Sequence, residues 1–477
     1  MTFKTRPIRM EVLEDRMLLN ASPELVADIN PGAGGSYLAV ENPDHSPYLT
    51  GVPSLTEFDG TLFFGADDGS NGNELWKSDG TEAGTELVAE INPGAGGSYP
   101  DRFKNVDGTL FFTAVNGING KELWKSDGTE AGTVRVKDIS PGIANSNLYG
   151  LTNVNGTLFF IASRRTDPPA FERVLWKSDG TEAGTVRVKD FSQDGGWLSS
   201  RIYNLTAVNG TLFFSAHDEF LRRELWKSDG TEAGTVRVKD IGLTGYYHLV
   251  DVNGTLFFNA SHTGNHFRNT VGDGWLWKSD GTEAGTVTVK DVRGAYLIGE
   301  FNGNLFFTAQ NGDLWKSDGT EAGTVRVKDG IGDGGTHLGE VNGNFFFYNY
   351  NYNRGIRQWD LHLWRSDGNE TGTVMVANLG PQLTISNSRS LYSTTINETL
   401  FFRDDDGTNG YELWKLDPVL FGTSGDDTIS VHVNPGAVAH RYEVTINGGQ
   451  TYLYPDGELH IVGGGGTDTV VVQGTAA

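Results

Sequence analysis

Several residue types are missing or scarce in this chain, and each absence narrows what the protein can be. The 477 residues include no cysteine, which excludes a disulfide framework, a thiolate metal site and a cysteine nucleophile. No stretch approaches the roughly 18 consecutive apolar residues of a transmembrane helix, so no membrane span is predicted. Basic residues are few, with 37 Lys and Arg against 61 Asp and Glu and a formal net charge of −24. Nucleic-acid binding, which depends on neutralising phosphates, is therefore not expected.

One sequence motif is repeated through most of the chain. The pair Leu-Trp occurs eight times. Six copies continue as Lys-Ser-Asp-Gly-Thr-Glu-Ala-Gly-Thr, and four of these run on into Val-Arg-Val-Lys. The spacing is roughly 50 residues, which is typical of propellers, solenoids and arrays. The eight tryptophans are Trp76, Trp124, Trp176, Trp226, Trp277, Trp315, Trp364 and Trp414. They are more often core residues than ligand platforms in such a repeat, and we expect the core role here.

Each unit is predicted to form four antiparallel strands, A to D. Strand A ends in Val-Asn-Gly, as at Leu151–Val154, and strand B follows at Thr157–Phe160. Asn-Gly is the strongest short hairpin signal, because both central residues of a type I′ turn need positive φ. Strand C carries Leu-Trp, and strand D carries Val-Arg-Val-Lys. Strand B is apolar on both faces, as expected for a strand packed between two neighbouring sheets.

Alternation within strand D predicts which side chains are buried. In the second unit, period-2 alternation places Val134, Val136 and Ile139 toward the core. Arg135 and Lys137 should face solvent.

The two ends of the repeat region are complementary. Residues 23–37 nearly duplicate residues 85–99, so the region begins with a surplus strand D. The last unit runs into Leu416-Asp-Pro418 and lacks a strand D of its own. Pairing the first strand with the last unit would remove both exposed sheet edges. We therefore predict an all-β fold, an eight-bladed β-propeller closed by the N-terminal strand, over residues 23–417. A solenoid is the alternative, and it would require capping units.

The eight units resemble the bacterial ELWxxDGT repeat family over residues 24–417. The first unit carries the motif as Glu74-Leu-Trp-Lys-Ser-Asp-Gly-Thr81, whereas Val174 and Trp275 replace its Glu, Arg365 its Lys and Asn369 its Thr. The resemblance implies a propeller-like, surface-associated protein with no established reaction.

Residues 1–22 resemble the LEPRxLL-type N-terminal segment of large secreted or surface proteins of some bacteria. They hold mixed charges and no apolar core of a secretory signal. The resemblance implies export of this leader-bearing chain, although Asp15 stands where the family has Pro. The matching residues are Arg9, Leu13, Glu14, Asp15, Arg16, Leu18 and Leu19.

Residues 418–477 leave the repeat and are predicted to form a small Gly/Asp-rich β-module. Residues 422–429 and 463–471 each resemble part of the hemolysin-type nonapeptide calcium repeat. This resemblance implies Asp426, Asp427 and Asp468 as calcium ligands, and calcium is the only cofactor that the sequence suggests. Calcium takes six to eight oxygen ligands, so the two partial motifs would have to meet in space. Ordinary Gly-Asp turns are the alternative.

The loops predict which face of the ring binds a ligand. In a meander blade, the A–B and C–D turns share one face, and here they are nearly constant. The B–C and D–A connections share the other face and vary in length and composition, which is where repeat scaffolds commonly place recognition. Aromatic residues on these connections suit stacking on sugar rings. The candidates are Tyr348, Tyr350, Tyr352, Trp359, Trp275 and Trp197. The alternating Tyr-Asn run from Tyr348 is equally compatible with an extended strand packed on one side.

Two further patterns favour structural roles. The Asp before each repeated Gly, such as Asp79 or Asp127, is an ordinary turn residue because its side chain bonds the backbone two residues on. An acidic ring is the less favoured interpretation. His262 and His266 lie four residues apart, a zinc spacing on a helix, but they fall in a Gly-Asn loop without a third ligand.

Three functions remain open from the sequence. The first is a secreted or cell-surface binding or adhesion protein without enzymatic activity, whose variable face holds a glycan or a protein. The second is a propeller polysaccharide hydrolase or lyase that uses a pair of loop carboxylates. The third is a structural matrix protein stabilised by calcium.

Overall fold

The computed structural model describes most of the repeat region and parts of both ends. The described residues are 24–31, 36, 55–166, 170–191, 202–217, 223–243, 248–260, 275–309, 312–341, 343–353, 358–381, 393–396, 399–405, 411–416, 420–421, 428–433, 442–446, 451–454, 461–462 and 469–474. Their regular structure is entirely β-strand. They include no helix long and apolar enough to cross a membrane.

Thirty-two strands form eight four-stranded antiparallel sheets, which are the blades of a β-propeller. The N-terminal strand β1 (Glu24–Ala27) belongs to the last blade. Blades 1 to 3 are β2 (Thr56–Phe58), β3 (Thr61–Asp67), β4 (Asn73–Ser78), β5 (Glu86–Ala89); β6 (Asp101–Val106), β7 (Thr109–Ala114), β8 (Glu122–Ser126), β9 (Val134–Lys137); and β10 (Tyr149–Val154), β11 (Thr157–Thr166), β12 (Ala170–Ser178), β13 (Val186–Asp190).

Blades 4 to 8 continue the same order from the inner strand outward. Blades 4 and 5 are β14 (Ile202–Val208), β15 (Thr211–His217), β16 (Arg223–Ser228), β17 (Val236–Leu243); and β18 (Leu249–Val252), β19 (Thr255–Ala260), β20 (Trp275–Ser279), β21 (Val287–Lys290). Blades 6 and 7 are β22 (Tyr296–Phe301), β23 (Asn304–Ala309), β24 (Asp313–Ser317), β25 (Val325–Lys328); and β26 (Asp333–Val341), β27 (Asn344–Asn353), β28 (Gln358–Ser366), β29 (Val374–Pro381). Blade 8 is β30 (Ser393–Ile396), β31 (Thr399–Asp405) and β32 (Tyr411–Leu416), completed by β1.

The ring is closed, as predicted. Strand β1 pairs antiparallel with β32, with Glu24 opposite Lys415 and Ala27 opposite Leu413. The first strands of the eight blades also contact one another in a complete cycle, because β30 of blade 8 touches β2 of blade 1. A solenoid would leave these two strands apart, so the contact identifies an eight-bladed propeller.

The core lies at the junctions between blades. Leu110, Phe111 and Phe112 of β7 are all buried, because a strand B packs between two neighbouring sheets. Trp124 of the same blade is buried with Phe63 and Leu75 of blade 1 in one apolar cluster. The expected core role of the repeat tryptophans is confirmed for the described side chains, which are buried or half-buried.

The C–D turn is a self-contained hydrogen-bond network. In blade 2 the Asp127 carboxylate accepts the amide of Thr129 at 3.0 Å and its hydroxyl at 2.7 Å. The Thr129 hydroxyl accepts the amide of Gly132 at 3.0 Å, and the Thr133 hydroxyl donates to the Thr129 carbonyl at 2.7 Å. Ser126 closes the turn by pairing with the Thr133 hydroxyl at 2.8 Å. The repeated Asp is therefore a turn residue, as expected.

Each C–D turn also receives side chains from the preceding blade. Gly128 has φ of 88°, and a Cβ there would lie 3.3 Å from the Phe63 ring of blade 1. The contact recurs at the closing junction, where Phe401 of blade 8 lies 2.9 Å from the equivalent position on Gly80. Lys137 of β9 donates to the backbone carbonyls of Glu182 and Thr185 in the next turn, both at 3.0 Å.

The strand D prediction needs one correction. Val136 is buried as expected, but Val134 is 41% exposed. A β-bulge interrupts the register between Leu123 and Trp124 of β8. A bulge adds an unpaired residue to one strand, so strict alternation along β9 fails.

The C-terminal segment has its own sheets. Strands β34 (Thr428–Val433), β35 (Tyr442–Ile446), β36 (Thr451–Tyr454) and β38 (Thr469–Gly474) form one sheet, with β34 and β38 parallel. Strands β33 (Leu420–Phe421) and β37 (Ile461–Val462) form a parallel pair.

Candidate ligand-binding site at the inner-strand rim

The predicted tyrosine loop is part of a long hairpin. Tyr348, Tyr350 and Tyr352 lie in β27, where Tyr352 is paired with Trp359 of β28. Of the two interpretations of the Tyr-Asn run, the extended strand is confirmed and the connection is wrong, because strand B continues outward and is matched residue for residue by β28. Tyr348 is only 2% exposed, and Tyr350 is half-buried against it, with ring centroids 5.8 Å apart.

The other predicted site residues are placed differently. Trp275 begins β20, is half-buried and packs against the apolar cluster shared by blades 4 and 5. Trp197 and the predicted calcium ligands Asp426, Asp427 and Asp468 lie outside the described residues, as do the side chains of Tyr352 and Trp359. Among the described residues there is no group of three or more His, Asp or Glu side chains that could hold a metal ion.

The structure brings together a set of residues that the sequence analysis did not single out. In five blades, one residue near the start of the inner strand pairs with the residue that follows Phe-Phe in strand B. In blade 5, His248 directly precedes the inner strand and donates its amide to the side chain of the equivalent strand B residue, Asn259. We call these six residues the rim. The rim consists of Asp101, Tyr149, Tyr203, His248, Tyr296 and Thr336. Because the inner strands contact one another around the ring, the rim follows its inner edge on the face where the variable connections arrive.

Backbone irregularity marks the rim. The pairing of inner strand with strand B shifts register directly after Asp101, Tyr149 and Tyr203. Arg102 and Asn204, which follow two of these residues, have φ of 58° and 56°. Positive φ is unfavourable for a bulky side chain such as Arg, and bulges commonly redirect side chains at functional positions. The regular ladder is therefore interrupted directly after three of the six rim residues.

The rim of blades 5 and 6 is aromatic. His248 and Tyr296 are both exposed, and their ring centroids lie 6.2 Å apart. The amide of His248 donates to the Asn259 side-chain oxygen at 2.9 Å, and the Asn259 side-chain nitrogen donates to the Ala295 carbonyl at 3.0 Å. Asn259 therefore ties the two aromatic residues to each other across the blade junction.

Tyr296 is partly open to solvent at the rim. Its residue surface is 40% exposed, yet desolvation by surrounding protein raises the pKa of its hydroxyl, and the nearby Tyr348 hydroxyl adds to the effect. Part of its ring is therefore accessible to a ligand.

The rim of blade 2 is charged. The buried carboxylate of Asp101 lies 3.0 Å from the Lys121 ammonium and accepts the Thr113 hydroxyl. Arg102 is a weaker partner, with its Nε 3.8 Å from the same carboxylate. The pKa of Lys121 is lowered, because the effect of burial exceeds the opposing effect of the Asp101 carboxylate. The carboxylate is fully engaged, so this part of the rim is a structural ion pair.

Comparison with known proteins finds similar solved structures but identifies no family. No protein-family model and no curated protein matches the chain. Among solved structures, the computationally designed Ika8 protein aligns with 80% of this chain and 99% of its own, at 12% identity and a TM-score of 0.45. BamB from Moraxella catarrhalis aligns with 77% of this chain and 94% of its own, at 9% identity and 0.37. The β-propeller domain of the Trilobed protease from Pyrococcus furiosus covers 68% and 97%, at 13% identity and 0.38.

A sequence signal for the rim does exist. With the exception of His248, each rim residue stands six positions before the Asn or Asp that opens the A–B turn, as Tyr296 does before Asn302. In blade 5 the strands pair without a bulge, and His248 stands five positions before Asn253. The turn can thus serve as the reference point from which the rim is counted.

Proposed function

We propose that this protein is a secreted or surface-displayed binding protein, without enzymatic activity, that holds a glycan or protein ligand on its variable face. The rim lies at the centre of the proposed binding surface. The observation that carries the proposal is the contrast between the rim and the opposite face. One register position bears Asp, Tyr, His or Thr in consecutive blades, whereas the turn positions on the other face are nearly identical.

On the constant face, aspartates of the C–D turns and an asparagine of the A–B turns are already bonded within the frame. The Asp of each described C–D turn accepts bonds from its own turn, which lowers the pKa of residues such as Asp179 and Asp229. In the A–B turns, Asn209 donates to the Gly254 carbonyl of the next blade at 2.9 Å. Polar groups that already hydrogen-bond within the propeller are less available to a ligand. Their pairing supports recognition on the variable face.

Binding is favoured over hydrolysis by the state of the acidic loop residues. In the connection between β3 and β4, Asp67 accepts the amide of Gly69 and Asp68 accepts the amides of Ser70 and Asn71, all at 2.8 Å. Desolvation opposes ionisation of Asp68, but these bonds outweigh it and lower its pKa. A general acid of a glycosidase needs a raised pKa. The described carboxylates of this loop therefore act as turn caps.

The proposed cellular location and the proposed calcium site rest on the sequence resemblances. The ELWxxDGT-like repeat and the LEPRxLL-like leader support an extracellular or cell-surface site. The nonapeptide-like segments support calcium as a stabilising ion at Asp426, Asp427 and Asp468. A melting temperature that is equal in calcium and in chelator would remove the calcium part, because an ion that binds only the native state must stabilise it.

The proposal is tested with the purified full chain on a glycan array and by pull-down from bacterial surface extract. Tyr296→Ala and Tyr203→Ala should each reduce binding to the retained ligand. Val325→Ala changes a side chain that is equally exposed, but on an outer strand, and serves as the matched control. Binding that is lost in the control and kept in both rim variants would reject the variable-face proposal. Release of fragments from a polysaccharide would instead identify a hydrolase or lyase.

A further inference from the structure

We propose that His248 and Tyr296 form a subsite for one hydroxyl-rich ring, the size of a single neutral sugar residue. In this subsite, His248 Nε2 accepts a hydrogen bond from a ligand hydroxyl, and the Tyr296 ring provides the stacking surface. This inference rests on the proposed binding function and deepens it, because it selects a carbohydrate from the two ligand classes.

The tautomer of His248 follows from its partner. Nδ1 lies 2.7 Å from the backbone carbonyl oxygen of Leu297. A carbonyl only accepts, so Nδ1 must carry the proton and donate. In the neutral ring the second nitrogen, Nε2, is then an acceptor. Among the described residues, Nε2 has no hydrogen-bond partner. An exposed histidine with one fixed nitrogen therefore presents a defined lone pair at the rim.

The subsite is held in place before a ligand arrives. The His248 amide is bonded to Asn259, Asn259 is bonded to Ala295, and the His248 ring is bonded to Leu297. These three bonds tie the start of the inner strand of blade 5 to the residues on both sides of Tyr296. Because these side chains lose little further conformational entropy on binding, such preorganisation favours affinity.

The ligand class follows from the geometry and charge of the pair. The two rings are tilted by 43° with centroids 6.2 Å apart, which leaves the Tyr296 face beside an acceptor nitrogen. A sugar ring offers C–H groups for the aromatic face and hydroxyl donors for the nitrogen. An anionic ligand would require a cation in the pair, and neither the neutral His248 ring, with Nδ1 bonded to Leu297, nor Tyr296 supplies one. A neutral carbohydrate matches the groups that are present.

The test uses the full chain and a panel of immobilised oligosaccharides of glucose, galactose, mannose and N-acetylglucosamine, with sulfated and uronic-acid oligosaccharides beside them. Neutral members should be retained. His248→Phe keeps a ring but removes both the Nε2 acceptor and the Nδ1 bond to Leu297, so affinity should fall at least about tenfold, the effect of losing one hydrogen bond to the ligand. Tyr296→Ala should reduce affinity at least as much, and Tyr296→Phe, which keeps the stacking face, should stay within about threefold.

Two controls separate a local role from a structural one. His248→Gln retains a side-chain oxygen that can accept, and it should recover part of the affinity lost in His248→Phe. Val325→Ala changes an equally exposed side chain on the outer strand of blade 6, away from the rim, and should leave the affinity unchanged. Each variant must show a thermal unfolding midpoint like that of the unchanged protein before its affinity is compared.

The outcomes distinguish the two proposals. Glycan binding that is lost in Tyr203→Ala and kept in His248→Phe and Tyr296→Ala overturns the subsite and leaves the variable-face function standing. Retention of charged glycans alone overturns the neutral-sugar assignment. Capture of a protein ligand with no glycan retained also overturns the sugar subsite while preserving the binding function. Absence of both kinds of ligand overturns both proposals.

Discussion

Ser146 joins blade 2 to blade 3 through both its side chain and its backbone. Its hydroxyl lies 2.5 Å from the carboxylate of Glu122, and its carbonyl accepts the amide of Ser163 at 3.0 Å. Ser98 makes the same connection between Glu74 and Val115 one junction earlier. The motif glutamate is therefore a buried anchor for the connection that leads into the next blade.

The first prediction concerns the pH dependence of stability. Burial raises the pKa of Glu74, Glu122 and Glu412 from 4.5 to about 7, against the opposing effect of their hydrogen bonds. A folded pKa above the unfolded value means that the stabilising contribution is complete below pH 4.5 and is lost as the pH rises toward 7. The free energy of unfolding, measured by denaturant titration, should therefore decrease across that window, by at most about 1.4 kcal/mol per pH unit for each group.

Glu122→Gln isolates one of these groups. Glutamine keeps an acceptor for the Ile139 amide and has no proton to release, so the slope of stability against pH should become shallower. Glu86→Gln, at an exposed surface pair with Lys77, is the matched control and should leave the slope unchanged. Identical slopes in Glu122→Gln and the unchanged protein would show that the glutamate does not titrate as inferred.

The second prediction concerns the glycine late in the C–D turn. A Cβ on Gly132 would lie 2.0 Å from a carboxylate oxygen of Asp127, so Gly132→Ala must displace that side chain and break the turn network. We expect a loss of about 1–3 kcal/mol in the free energy of unfolding. In an Asp127→Ala background the obstruction is gone and the same substitution should cost less. Additive effects in this double-mutant cycle would contradict the steric explanation.

The third prediction concerns the lysine that links blades. Lys137→Met removes two hydrogen bonds to backbone carbonyls of blade 3 and should cost about 1–2 kcal/mol of unfolding free energy. Arg237→Met removes a cation from a comparable outer strand, where its partner Asp240 is also exposed, and should cost less than about 0.5 kcal/mol. Equal costs in chemical denaturation would mean that the lysine contributes only surface charge.

The fourth prediction compares two valines of one strand. Val136→Thr places a hydroxyl in the core and should destabilise the protein by about 1–2 kcal/mol. Val134→Thr changes an exposed side chain beyond the bulge and should alter stability by less than about 0.5 kcal/mol. Equal costs for the two substitutions would support the simple alternation that the sequence suggests.

Much of the fold was accessible from the sequence because its signals are repeated. Eight Leu-Trp pairs defined the blades, and the near-duplicate of residues 85–99 at residues 23–37 predicted closure by β1. Asn155-Gly156 and its counterparts predicted type I′ hairpins, and both residues indeed have positive φ. Each of these features is local, so it can be recognised without knowing the contacts between blades.

The features that escaped prediction depend on register. The exposure of Val134 depends on a bulge in pairing with β8, and the strand position of Tyr348 depends on how far β28 continues. The rim was missed for the same reason. Asp101, His248 and Tyr296 share no residue type, and only their position opposite strand B shows that they are equivalent.

One set of links between blades runs in the forward direction, and this bears on how the gene can change. Lys137 reaches forward to the turn of blade 3, Asn209 to that of blade 5, and Phe401 passes across the seam to Gly80 of blade 1. A blade made by copying one unit would carry a matching donor on one side and a matching acceptor on the other. Duplication could therefore lengthen the array without inventing a new junction, while the variable connections of the copy would be free to diverge.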